Sequence, residues 1–231
     1  MESFMRIDKF LADMSIGTRS EIKKLIHDGR VSINGEVVQK PNYSVDIDTI
    51  VVVDDIEVHY SQFEYYILNK PSGYLCTIDY SPNVLQLIET YRKDVMPVGR
   101  LDKDTEGLLL LTNDGQLAHK LLAPKSHVNK TYYVETDRSI PDSAIDTFCK
   151  PIEFEDFISK PAKLEIISSN SGYLTISEGK FHQVKRMFKY IGCEVTYLKR
   201  TSFGPLKLND LEIGEYRSLS EEEINMLKGS D

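Results

Sequence analysis

Asn34-Gly35 stands between two short alternating runs, Val31-Ser32-Ile33 and Glu36-Val37-Val38. A two-residue Asn-Gly connection between such runs specifies a tight β-hairpin, because both central residues must take positive φ. The hairpin constrains what precedes it. Ile7, Phe10, Leu11 and Met14 share one helical stripe, Arg6, Lys9 and Asp13 point elsewhere, and Gly17 ends that helix. Thr18 or Ser20 caps a second helix in which Ile22, Leu25 and Ile26 face inward and Arg19, Lys23 and Lys24 face out. A strand from Thr49 to Val53 completes a compact helix-helix-hairpin unit, and the polar, acidic stretch Asp54 to Glu64 reads as a linker. The boundary is placed after residue 60, giving domains 1–60 and 61–231.

From Tyr65 the chain breaks into short strands: Tyr65–Asn69, Leu108–Thr112, Thr131–Thr136, Lys163–Ile167 and Tyr173–Ser177. Helical patterns fall at Val84–Tyr91, Gly115–Leu122, Asp142–Cys149 and Phe181–Ile191. In the last of these Phe181, Val184, Phe188 and Ile191 form the apolar side, and Gly192 is the stop. Strands and helices do not alternate regularly, so an α+β class is expected rather than a doubly wound sheet.

A net charge of −8 argues against a polyanionic partner until it is mapped along the chain. Met5 to Lys40 holds seven Lys/Arg against five Asp/Glu, and Glu178 to Lys207 holds seven against two. The acid lies elsewhere, in Asp46 to Glu57 and in Asp210 to Asp231. Two basic faces on an acidic body are therefore expected. Cys76, Cys149 and Cys193 have no disulfide or zinc spacing and read as buried free thiols in a reducing compartment. The start has no apolar leader, and no apolar run approaches the ~18 residues of a membrane span. A soluble cytoplasmic protein with no membrane partner is expected.

The densest chemistry lies in Gly99-Arg100-Leu101-Asp102-Lys103-Asp104-Thr105-Glu106-Gly107, which feeds four leucines. Its acids imitate the opening of a calcium-binding loop, but Asn113 stands where a bidentate glutamate is needed and leucines fill other ligand positions. A polar turn entering a buried strand accounts for an isolated D-x-D. The wider order decides. Asn69-Lys70-Pro71-Ser72-Gly73 comes first, then the Gly99 segment, then Lys130-Thr131-Tyr132, then Glu178-Gly179-Lys180-Phe181-His182-Gln183-Val184-Lys185-Arg186-Met187.

These motifs, behind that amino-terminal unit, resemble the pseudouridine synthases of the ribosomal small-subunit type, which carry an S4 RNA-binding domain in front of a catalytic domain. The S4 likeness rests on Arg6 to Leu11, Thr18-Arg19-Ser20-Glu21 and Gly29 to Gly35, with Thr18 where that family usually has serine. The resemblance implies a small S4 domain followed by a mixed, mainly antiparallel-sheet catalytic domain. It matches Asp102 to the catalytic aspartate, Tyr132 to the active-site tyrosine and Lys185 to the basic residue paired with that aspartate. Leu198 matches an apolar residue lining the pocket, and Arg100 lies inside the G-R-L-D motif. Lys180 replaces an arginine common in relatives, keeping the charge but not the fork geometry. Arg186 and Lys189 are expected on RNA phosphates, with Arg6, Lys9, Arg19, Lys23 and Lys24 contacting RNA from the S4 unit. His182 either contacts RNA or caps its helix.

The implied reaction needs such residues. Pseudouridine forms when the bond from C1′ to N1 breaks, the uracil turns, and C5 rejoins C1′. No electrons enter or leave, so no redox cofactor is expected, and with neither calcium nor zinc spacing in the sequence no metal is expected. A carboxylate can attack C1′, attack C6 or assist loss of a ribose proton, and Lys185 beside it stabilises the charge it carries. Tyr132 offers a stacking face and a hydroxyl for the proton leaving C5. The expected partner is 16S rRNA, free or in an assembling small subunit, with the protein a monomer. His182-Gln183, where relatives acting on 23S rRNA often carry Arg-Gln, favours the small-subunit target. Two other classes differ in outcome: an S4 ribosome-binding protein would bind RNA without isomerising it, and a nucleoside hydrolase would release uracil.

Overall fold

The computed structural model describes residues 4–77 and 79–229. The chain divides into two compact units, Met1–Glu64 with Thr90–Val95, and Tyr65–Glu89 with Met96–Asp231. Met1 to Ser3 lie outside the described residues.

In the first unit β1 (Phe4–Arg6) leads into α1 (Ile7–Asp13) and α2 (Arg19–His27), followed by β2 (Val31–Ile33), β3 (Glu36–Val37), β4 (Ser44–Asp46), β5 (Val51–Val53) and β6 (Ile56–Val58). Thr18 caps α2 in a reciprocal box: its amide donates to Glu21 Oε2 at 2.7 Å and its hydroxyl accepts from Glu21 N at 3.3 Å. Asn34 and Gly35 sit at φ 51° and 80°, the hairpin geometry their sequence demands. Ile7, Phe10, Leu11, Ile22, Val31 and Val51 are fully buried and form the core of this unit. Its sheet runs β3-β2-β5-β6, while β1 pairs with β4.

Two features depart from expectation. Ile56–Val58 is a strand paired with β5, not linker, because Val58 supplies one more buried side chain to the core. Thr90–Val95, where the end of a helix is expected, belongs to this unit instead. Arg92 anchors it, with Nη1 3.6 Å from Asp13 and its amide donating to Glu64 Oε2 at 3.2 Å.

The second unit contains β7 (Tyr65–Lys70), β8 (Met96–Pro97), β9 (Glu106–Thr112), α3 (Gly115–Leu122), β10 (Lys130–Thr136), α4 (Ser143–Phe148), β11 (Lys163–Ser168), β12 (Ser171–Ile176), α5 (Gln183–Tyr190), β13 (Val195–Phe203), β14 (Leu206–Lys207), β15 (Tyr216–Ser218) and α6 (Glu221–Lys228). A nine-stranded sheet runs β11-β12-β10-β13-β9-β7-β15, with β14 added beside β13 and β8 beside β9. Among the strands described in this sheet only the β9–β13 pairing is parallel. The unit is thus α+β with a mixed, mainly antiparallel sheet. Leu108 to Leu111 are all fully buried, as a strand covered on both faces requires.

The Val84–Tyr91 helix is absent. Asn83 caps a single 3-10 turn, Val84–Leu87, and Ile88 is already extended. Cys149 is exposed, against expectation, because it follows the last turn of α4 whose buried positions are Ala144 and Phe148; Cys76 and Cys193 are buried. Among the described residues no helix is long and apolar enough to cross a membrane.

Gly107 fixes the centre of the sheet. It sits at φ 103° opposite Arg200, and a Cβ there would lie 2.2 Å from the Arg200 carbonyl oxygen. Both the dihedral and the approach demand glycine. Gly107→Ala is expected to lower stability by more than about 3 kcal/mol, measured by equilibrium denaturation.

Candidate active site

The loop from Gly99 to Thr105 joins β8 to β9 and carries Asp102. It is held from beneath by an unusual group. Lys70, at the end of β7, is fully buried, and its Nζ donates to the carbonyls of Pro71 at 3.0 Å, Lys103 at 3.2 Å and Thr105 at 2.8 Å. Burial pushes the Lys70 ammonium below its ordinary pKa, while Cys76, Asp104, Glu106 and Asp102 oppose that shift. The loop also closes on itself, Thr105 N donating to the Asp102 carbonyl at 3.1 Å, and Leu101 N reaches Cys76 Sγ at 3.4 Å.

Asp102 faces α5 with its side chain 29% exposed. His182 Nε2 lies 3.5 Å from Oδ1, and Lys185 Nζ lies 3.7 Å from Oδ2. Lys185 is closer to Asp104, donating to Oδ1 at 2.7 Å and Oδ2 at 2.8 Å. That hydrogen bond holds the Asp104 carboxyl below its ordinary pKa. Lys185 therefore spans two carboxylates, the nearer being the more exposed one.

A cleft of about 380 Å³ opens over Asp102, within the range of small-molecule sites. Tyr132 from β10, Leu198 from β13, Arg100, His182 and Lys185 all line it. Tyr132 and Leu198 are buried, and Tyr132 pairs in register with Arg200 of β13. Tyr133 packs on the other face of the sheet, against Tyr173 and Tyr197. Alternation along β10 thus sends one tyrosine to the cleft.

Other expected contacts lie elsewhere. Arg186 is outside the cleft: it pairs with Asp156 at 2.5 and 3.1 Å, and its guanidinium covers the Phe154 and Phe157 rings at 4.9 and 4.7 Å. Lys189 is exposed on α5, away from the cleft lining. Arg6, Lys9, Arg19, Lys23 and Lys24 are all exposed on the first unit. Arg6 is tied to Asp8 by two hydrogen bonds, at 3.0 and 2.7 Å.

Phe181 corrects the helical reading. The helix begins at Gln183, so Phe181 precedes the stripe and is 68% exposed. Its ring stacks on His182 at 3.8 Å and 17° at the cleft wall, with His182 in a left-handed conformation at φ 50°. His182 does not cap the helix through its side chain. Asp104 as the near partner of Lys185, and Lys70 beneath the loop, were not assigned from sequence. The available signal was the place of Lys70 in the motif Asn69-Lys70-Pro71-Ser72-Gly73, at the end of a buried strand.

Residues 64–190 match the family model described as RNA pseudouridylate synthase, and residues 5–51 match the S4 domain. The chain belongs to the RNA pseudouridylate synthase family. An RNA pseudouridine synthase of Bacillus subtilis is 47% identical, the match covering 96% of this chain and 98% of the relative. The ribosomal small subunit pseudouridine synthase A of Escherichia coli is 39% identical over 95% of this chain and 98% of its own. A solved pseudouridylate synthase superposes with a TM-score of 0.69 at 38% identity, covering 96% of this chain and 99% of the other. The synthase is thus an isomerase with an S4 domain ahead of its catalytic fold.

Removing the Lys70 ammonium would strand the Pro71, Lys103 and Thr105 carbonyls. Lys70→Met is expected to cost about 2–5 kcal/mol and to speed amide exchange at Gly73 and Thr105, read by hydrogen-exchange NMR.

Proposed function

We propose that the synthase converts one uridine of 16S rRNA to pseudouridine, with Asp102 as the essential carboxylate. The observation that carries this reading is the placement of Asp102 across one cleft from Tyr132, with Lys185 and His182 within 3.7 Å of its two oxygens. That arrangement fits the chemistry. A carboxylate can reach the sugar or the base of a bound uridine, and a buried aromatic ring can support the uracil while it turns. When C5 rejoins C1′, the C5 proton must leave, and the Tyr132 oxygen on that wall can accept it and pass a proton on. Lys185 supplies positive charge, and His182 a ring nitrogen, where the carboxylate gains or sheds charge along the path.

The small-subunit target is supported by full-length likeness to enzymes of that name in Escherichia coli and Haemophilus influenzae, each 39% identical. Residues 1–60 serve in this reading as RNA-binding domain and linker, and residues 61–231 carry the chemistry. Lys9, Arg19, Lys23 and Lys24 are free to meet phosphates, while Arg6 does so by exchanging Asp8. The uridine leaves its stack to enter the cleft, at a cost of about a few kcal/mol that phosphate contacts offset. The protein works in the cytoplasm as a monomer, on free 16S rRNA or on an assembling small subunit.

The test is to incubate the protein with 16S rRNA, 23S rRNA and a small-subunit assembly intermediate, then map pseudouridine. One new pseudouridine confined to 16S rRNA is expected; product only in 23S rRNA, or none with RNA bound, contradicts the reading. Lys185→Met is expected to lower kcat by about 100-fold or more, with a smaller change in RNA affinity, measured by single-turnover kinetics and filter binding.

A further inference from the structure

A second cavity, of about 280 Å³, adjoins the cleft and shares Arg100, Tyr132 and Lys180 with its wall. Its charge is one-sided. Arg100, Lys130, Lys160, Lys180 and Arg200 line it, and Glu178 is the one carboxylate among those lining residues. Glu178 is already engaged: Oε1 accepts from Lys160 N at 2.8 Å and from Gln183 Nε2 at 2.9 Å.

Arg200 is 2% exposed. Its Nε donates to the Leu108 carbonyl at 2.7 Å, but Nη2 is buried with no hydrogen-bond partner. Lys130 Nζ has a single acceptor, the Val128 carbonyl at 2.8 Å. Both cations lie against the Phe203 ring, each 5.3 Å from its centroid. Burial, and next to it the Arg200 charge, push the Lys130 ammonium down to about 8. A buried guanidinium with an idle donor beside a second buried cation is costly unless an anion completes it. Glu178 offsets part of the Lys130 shift, but among the described residues no carboxylate hydrogen-bonds Lys130 Nζ or Arg200 Nη2.

We propose that this cavity binds a phosphodiester of the RNA directly flanking the target uridine, with Lys130 and Arg200 as its ligands. The inference rests on the reading that a uridine of RNA occupies the neighbouring cleft. Sharing a wall means the two occupants are adjacent along one strand. A phosphate gives Arg200 Nη2 its acceptor and Lys130 its counter-charge, through charge-assisted hydrogen bonds. The uridine is then anchored through its backbone while its base stays free to turn. Lys130, two residues before Tyr132 and so on the same face of β10, acts as a positioning residue.

The test compares binding of a short RNA containing one uridine, with its flanking phosphates native or replaced singly by neutral methylphosphonates. Whole-chain wild type and Lys130→Met are titrated with each strand, and both proteins are melted. In wild type, neutralising one flanking linkage is expected to weaken binding about tenfold. In Lys130→Met the same change is expected to cost clearly less, about threefold, because one of the two ligands for that phosphate is gone while Arg200 remains. Lys130→Met is also expected to melt no lower than wild type, since the substitution removes a buried charge. Lys130→Arg should restore the wild-type penalty. A strand bound equally well with and without each flanking charge overturns the proposal, as does a Lys130→Met protein that feels neutralisation as wild type does. Those results would leave 16S pseudouridine formation standing, because mapping reads it independently.

Discussion

The candidate site depends on one backbone contact, the approach of Gly107 to Arg200. Only two residue pairs join β9 to β13 in parallel, Lys199 with Glu106 and Arg200 with Gly107. Those pairs bring the end of the Asp102 loop beside the strand that carries Leu198. Any side chain at position 107 would push the strands apart and carry Asp102 with them. Lys70 then fixes the loop from below by binding carbonyls, so backbone interactions set the position of Asp102. Its side chain is left available to a substrate.

The electrostatics follow the same division. An acidic chain places cations around the cleft, Arg100, Lys180 and Lys185 among them, and acids such as Glu221 and Glu222 on an outer helix. Local potential, not net charge, is what a phosphate chain meets. Lys185 is oriented by Asp104, which is 70% exposed, and so keeps its charge near Asp102 without a tight contact to it. A nucleophile sealed in a short ion pair would have to break that pair before reacting.

The amino-terminal unit was legible because its signals are local: Asn34-Gly35, the Thr18 box and two apolar stripes each act within a few residues. Asp102, Tyr132, Lys185 and Leu198 could be named from ordered motifs, and the structure brings all four to one cleft. The longest strand, β13, escaped. Arg200 occupies one of its buried positions and breaks the apolar alternation by which a strand is recognised. Phe181 fails for the converse reason: the apolar period runs two residues past a boundary that the backbone of His182 sets. The brief strand Ile56–Val58 hid in an acidic stretch, since only Val58 of its three residues is buried.

The central claim is that Asp102 does the chemistry while other residues hold the RNA. Its most direct measurement is single-turnover pseudouridine formation and RNA affinity for Asp102→Asn beside wild type. Asp102→Asn is expected to form no detectable pseudouridine and to keep an affinity within about twofold of wild type, because the amide keeps the shape and removes the negative charge. Pseudouridine formed at a rate comparable to wild type would contradict it.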